Sequence, residues 1–128
     1  MTLLAGAKPM AFVLSRDVAA LKPFYRDLLG LPFLGENQFA ASFDLGGGTT
    51  LRLTALPDHV PSQHTVLGWQ VDDIDAALDR LEAAGVHGEI YEGFGQDARG
   101  IWTSPDGSAR IVWFNDPEGN NLSLTEMR

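Results

Sequence analysis

The chain contains no cysteine, which excludes disulfides, thiol nucleophiles and cysteine zinc sites together. Basic residues are scarce: 9 Lys and Arg stand against 17 Asp and Glu, a formal net charge of −8. A general binder of phosphate backbones needs a basic footprint, so nucleic acid is not an expected partner, and an anionic membrane surface would repel the chain. Long apolar runs are missing as well. No stretch approaches the roughly 20 residues of a spanning helix. The run from Met1 to Ala7, ahead of Lys8 and Pro9, is too short for a signal core, and the expected location is cytoplasmic. What remains is a globular balance, 45% hydrophobic and 20% charged over 128 residues, enough for a single domain with one core.

The chain repeats itself. The segment Phe43–Thr54 reads like Phe114–Thr125, 71 positions later: an aromatic-ended strand, a glycine-containing turn, then an alternating strand. Met10–Asp17 reads like Val66–Asp73, an apolar strand ending in an Asp able to cap a helix. The first helix is expected to run from Asp17 or Ser15 through Leu29, with Gly30 in the left-handed position beyond it. Pro23 inside it removes a hydrogen bond and predicts a kink near Leu21 or a late start. Asp73 caps a second helix over Ile74–Ala84, stopped by Gly85, with Ile74, Ala77, Leu78 and Leu81 as its apolar stripe. Three strands are expected after each helix: Pro32–Gly35, Phe39–Asp44 and Thr49–Leu56, then His87–Glu92, Arg110–Phe114 and Asn121–Glu126. Gly93–Pro105 reads as a loop, with Ile101 and Trp102 suggesting a short strand. The unit is βαβββ, used twice: module one over 9–56, a linker over 57–63, module two over 64–127. The fold class is α+β, two βαβββ modules forming a curved mixed sheet with a concave ligand trough.

Period-two alternation sorts the side chains between faces. Leu51, Leu53, Leu122 and Leu124 face the helices. Thr50, Arg52, Thr54, Asn121, Ser123 and Thr125 face away, with Met10, Phe12 and Leu14 on the first strand and His64, Val66, Gly68 and Gln70 on its counterpart. A concave surface of mixed polarity is the default ligand site.

Three strings, Phe24–Leu31, Val71–Ala77 and Trp113–Asn120, resemble the vicinal oxygen chelate superfamily of glyoxalases, extradiol dioxygenases and bleomycin-resistance proteins. The resemblance runs from about Pro9 to Glu126. It implies the fold and a homodimer, since family members commonly build their sites across two chains. It also implies four inward positions where the metal enzymes carry His, Gln or Glu. Here those positions are Met10, Arg52, Val66 and Ser123: a thioether, a cation, an isopropyl group and a hydroxyl, in place of N and O donors converging at about 2.0–2.3 Å. The expectation is that no metal, no other cofactor and no catalytic residue is used, and that the chain binds a small organic ligand, as the resistance-type members sequester drugs.

The expected ligand contacts are Met10, Phe12, Arg52, Thr54, His64, Val66, Tyr91, Trp102, Trp113, Ser123 and Thr125, with the aromatic rings as flat walls. Arg52 is either an anchor for a ligand carboxylate, phosphate or carbonyl, a partner for an internal acid such as Asp44 or Glu126, or exposed at the trough mouth. His64 reads as a metal ligand, a polar cavity contact or a strand-end histidine; His59 and His87 read as solvated. Two other functions stay open: a lyase, isomerase or dioxygenase with a rearranged or metal-free site, and a structural or regulatory subunit with an occluded trough. Gly46–Gly48 is not a phosphate loop, because it precedes a strand and no Lys follows.

Overall fold

A computed structural model describes residues 2–128. The chain forms two compact units, one up to Val60 and the other Pro61–Arg128. The first holds β1 (Met10–Ser15), α1 (Val18–Pro23), β2 (Phe33–Glu36), β3 (Ala40–Gly46) and β4 (Thr49–Ala55). The second holds β5 (Leu67–Gln70), α2 (Ile74–Ala83), β6 (Trp102–Thr103), β7 (Ala109–Asn115) and β8 (Asn121–Met127). Each unit is a four-stranded mixed sheet, in the orders β1-β4-β3-β2 and β5-β8-β7-β6. In both, the first strand lies parallel to the last, and the inner pairs are antiparallel. The repeat read from the sequence is therefore a repeat of topology. Among the described residues no helix is long and apolar enough to cross a membrane.

Each sheet buries one face under its helix. In the first unit Val13, Phe43, Leu51 and Leu53 pack with Leu21, Phe24 and Tyr25. Asp17 caps α1 by accepting from the Ala20 N–H. The irregularity expected near Leu21 falls at Pro23, which lacks the N–H to continue the α ladder. The next five residues, Phe24–Leu28, wind as a π-helical turn closed by the Leu29 N–H on the Phe24 carbonyl. Adjacent Phe24 and Tyr25 are both buried there, their rings 5.3 Å apart edge to face. In the second unit Ile74, Leu78 and Leu81 of α2 pack on the side of Val112, Phe114, Leu122 and Leu124. Asp73 caps α2 through the Ala76 N–H, and Gly30 and Gly85 take φ of +75° and +85° after the helical segments.

One expected strand does not form. Residues 87–92 make no ladder; one backbone bond, Glu89 N–H to the Trp113 carbonyl at 2.7 Å, ties them to β7. The backbone groups are instead satisfied by one side chain. Gln96 accepts from the Tyr91 N–H (2.7 Å) and donates to the carbonyls of Glu89 (2.8 Å) and Gly100 (2.7 Å). The place beside β7 is taken by Trp102 and Thr103, opposite Ile111 and Arg110.

Candidate functional site

In the second unit the face away from α2 is ordered by register. Gly68, Ser123 and Trp113 form one cross-strand row, and Gln70, Thr125 and Ile111 the next. Asn121 stands opposite Asn115, and Val66 joins that row through its N–H on the Asn121 carbonyl. A cavity of about 740 Å³ opens here, lined by the segment Pro61–Thr65 together with Tyr91, Phe94, Trp113, Asn115, Gly119 and Asn121.

Its walls are aromatic. Tyr91, Phe94 and Trp113 make three mutual ring contacts, with centroids 5.6, 6.0 and 6.4 Å apart. The two contacts of Trp113 are edge to face, and the Tyr91–Phe94 pair is tilted at 52°. The polar groups are held just as firmly. Thr65 Oγ1 donates to Asn121 Oδ1 (2.8 Å), and Asn121 Nδ2 donates to the Tyr91 hydroxyl (2.7 Å). Because that oxygen accepts from Asn121, the tyrosine's own proton points elsewhere and can be donated to a guest. Asn115 Nδ2 is committed to Glu89 Oε1 at 3.0 Å. At the rim, the Ser62 hydroxyl contacts His64 Nδ1 and accepts from the His64 N–H.

The opposite side of this sheet carries the charges. Arg110 binds Asp75 at 2.7 Å, and Arg99 binds Asp79 and Glu82 at 2.6 and 2.7 Å. Glu126 accepts from the Ile74 N–H at the start of α2 and from Arg128. The Arg110 guanidinium holds the Asp75 carboxyl below the usual carboxylate range. The Ile74 N–H, then Arg128, does the same for Glu126. In the turn before β7, the Ser108 N–H and the Ser104 and Ser108 hydroxyls bring Asp106 down to about 2. The Arg99, Arg110 and Glu126 pairs brace the helix side of the unit, Asp106 fixes its own turn, and none of them is part of the cavity lining.

Of the residues singled out from sequence, His64, Tyr91 and Trp113 line this cavity. Ser123, Thr125, Val66 and Trp102 belong to the same sheet but are not part of the lining. Gly68 leaves room for Ser123: a β-carbon built on Gly68 would lie 2.5 Å from the Ser123 hydroxyl. Met10, Phe12, Arg52 and Thr54 lie in the first unit, on the face away from Leu51 and Leu53. There Phe12, Arg52 and Ser42 form the row matching Gly68, Ser123 and Trp113. Thr54 Oγ1 donates to the Arg52 carbonyl. Neither acid considered for Arg52 pairs with it: Asp44 accepts from the Gly46 N–H, and Glu126 is held as above. Phe94, Asn115, Asn121 and Thr65 were missed. Asn121 was legible, since it shares the alternation of Ser123 and Thr125; Phe94 sits in an irregular loop and left no periodic signal.

The four positions where the resemblance places metal ligands hold Met10, Arg52, Val66 and Ser123, a donor set that does not fit a divalent ion. Among the described residues no group of three or more His, Cys, Asp or Glu side chains is arranged to hold a metal.

Comparison with known proteins agrees with the topology. Residues 9–124 match the family model described as Glyoxalase/Bleomycin resistance protein/Dioxygenase superfamily. The "Uncharacterized protein YaeR" of Escherichia coli (strain K12) is 30% identical over 127 aligned positions, covering 89% of this chain and 91% of that protein. A glyoxalase / bleomycin resistance protein from Catenulispora Acidiphila DSM 44928 superposes with a TM-score of 0.69 at 26% identity, over 94% of this chain and 98% of that one. Lactoylglutathione lyase from Agrobacterium tumefaciens superposes with a TM-score of 0.70 at 22% identity, over 94% and 92%; at that identity the likeness is one of fold. With the doubled βαβββ topology, the match over nearly the whole chain means that this protein belongs to the glyoxalase/bleomycin resistance protein/dioxygenase superfamily.

Proposed function

We propose that this chain binds a small organic molecule in the cavity of its second unit, without a metal ion. The observation that carries the reading is the cavity itself. Its volume of about 740 Å³ lies within the range of roughly 300–1,000 Å³ typical of ligand pockets. Its three rings and its fixed amides combine flat apolar walls with a few oriented polar groups. A planar guest gains contact area against Trp113 and Phe94, and an acceptor atom on it meets the free proton of the Tyr91 hydroxyl. His64 supplies a ring nitrogen at the rim. The donor sets at the four family positions support the metal-independent part of the reading. Val66, Trp102, Ser123 and Thr125 are further contacts in this reading; Met10, Phe12, Arg52 and Thr54 are a separate set of ligand contacts, on the first unit's own face. The reading includes a homodimer, implied by the family resemblance, and a cytoplasmic location.

The test is a thermal-shift and calorimetric screen of planar aromatic drugs and metabolites against the native chain and Trp113→Ala, with EDTA present throughout. The expected result is at least one ligand that raises the melting temperature and whose affinity falls at least tenfold in Trp113→Ala. Binding that needs added divalent metal, or is indifferent to Trp113, contradicts the reading. Turnover of a bound compound under these conditions would place the chain among metal-free enzymes instead.

A further inference from the structure

Arg52 stands out among the cations of this fold. Among the described residues, Lys22, Arg99 and Arg110 are also half-buried, and each has a carboxylate oxygen at 2.6–2.9 Å. Arg52 has no ion pair, and its Nε is buried with no hydrogen-bond partner. Carboxylates are not scarce, since acids outnumber bases 17 to 9. Asp44 lies on the neighbouring strand but gives Oδ1 to the Gly46 N–H. A buried donor without an acceptor is costly, so the fold carries an unmet cost at this position.

The neighbours define what would meet it. Register places Phe12 on one side of Arg52 and Ser42 on the other, with Met10 one residue pair along the same face. Phe12 and Met10 are exposed, at 56% and 50%. The planar fork of a guanidinium matches a carboxylate with two parallel bonds, and the two exposed apolar side chains beside it suit a hydrocarbon body.

We infer that this face of the first unit is an anion subsite, in which Arg52 takes the carboxylate of an amphipathic organic acid whose apolar body lies on Phe12 and Met10. The proposal deepens the small-molecule reading at Arg52 and stands without the cavity of the second unit. The net charge of −8 disfavours any anion at a featureless surface, so selectivity for an acid over its neutral analogue has to come from a local cation.

The experiment compares 2-naphthoate with 2-naphthamide by calorimetry at pH 7, in the native chain, Arg52→Gln and Trp113→Ala. Melting temperatures of all three, and of Arg52→Met, are measured alongside. The native chain is expected to bind the acid at least tenfold more tightly than the amide. The preference is expected to vanish in Arg52→Gln and to survive in Trp113→Ala. Both Arg52 variants are expected to melt no lower than the native chain, because each removes a buried donor that has no acceptor. An acid bound no more tightly than the amide, including binding of neither, overturns the proposal. So does a preference retained in Arg52→Gln, or a melting temperature several degrees lower in both Arg52 variants, which would make the guanidinium a structural strut. Amide affinity in Trp113→Ala reports on the cavity reading separately: unchanged amide binding there counts against the cavity and leaves the acid preference as the measure of Arg52.

Discussion

The two units share one topology and place their bulk differently. Across the matching row, the first unit carries Phe12, Arg52 and Ser42, and the second carries Gly68, Ser123 and Trp113. In the first, large side chains stand on the outer and adjacent strands, leaving exposed apolar surface and an unpaired cation. In the second, those positions are reduced to a hydrogen and a hydroxymethyl, and the bulk moves to β7, where Trp113 meets Tyr91 and Phe94. The polar groups differ in the same sense. Thr65, Asn121 and Tyr91 form a linear relay, whereas Arg52 Nε has no partner. A duplicated scaffold keeps the ladders and the helix-facing leucines, because those hold each sheet to its helix; the other face is free to diverge.

The largest effect is expected where the second unit departs from the repeat. Gln96 stands in for a strand ladder by bonding three backbone groups around Tyr91. At a net 0.5–1.5 kcal/mol each, partly offset by solvent, Gln96→Ala should cost about 2 kcal/mol in urea unfolding and weaken ligand binding through a displaced Tyr91. Gln96→Glu should not rescue it, because a carboxylate oxygen would then face two carbonyls. A next step exploits the size difference in the row. Gly68→Ala forces a β-carbon against the Ser123 hydroxyl and should cost about 1–3 kcal/mol. Adding Ser123→Ala should return part of it in a double-mutant cycle. The counterpart Phe12→Ala, at an exposed site, should change stability by no more than about 0.5 kcal/mol. Comparable losses at the two positions would erase the contrast drawn between the faces.

The smallest effect is in pH and falls mainly on the second unit, since among the described residues the first unit has a lowered carboxylate only at Asp27, in an exposed pair with Arg26. Asp75, Asp106 and Glu126 all belong to the second unit, and all have folded pKa values below their ordinary ones. Their stabilisation is fully present above the ordinary carboxylate range and is lost as pH falls through the lowered values, down to about 2 for Asp106. Protection of the second unit's amides, corrected for the intrinsic exchange rate, is therefore expected to fall between about pH 4 and 2. Glu126→Gln should flatten part of that slope. A slope unchanged by the substitution would remove Glu126 from the account.

How far the fold could be read in advance depended on whether a residue's role was local. Asp73, the Ile74–Leu78–Leu81 stripe and Gly85 define α2 through neighbours three or four positions away, so its ends were legible. Alternation in Thr49–Ala55 and Asn121–Met127 likewise settled which side chains turn from the helices. The strand expected at 87–92 failed because its competitor was a side chain, Gln96, whose backbone-like bonding has no sequence periodicity. Gly88 also packs too closely against the Arg99 carbonyl and Val112 to carry a side chain. The candidate site was legible in Tyr91, Trp113 and His64. It was not legible in Asn115, which lies one residue beyond the strand expected at Arg110–Phe114 and which register sets opposite Asn121. Pro23 signalled an irregular helix, but not that a π turn would bury Phe24 and Tyr25 side by side.

Metal content is the most direct test of the central claim. The purified chain is analysed for divalent metals, and its affinity for a ligand found by screening is measured before and after exhaustive chelation. The account predicts substoichiometric Ni, Zn, Fe and Mn, with an affinity that chelation leaves unchanged. A near-stoichiometric ion whose removal abolishes binding would contradict it.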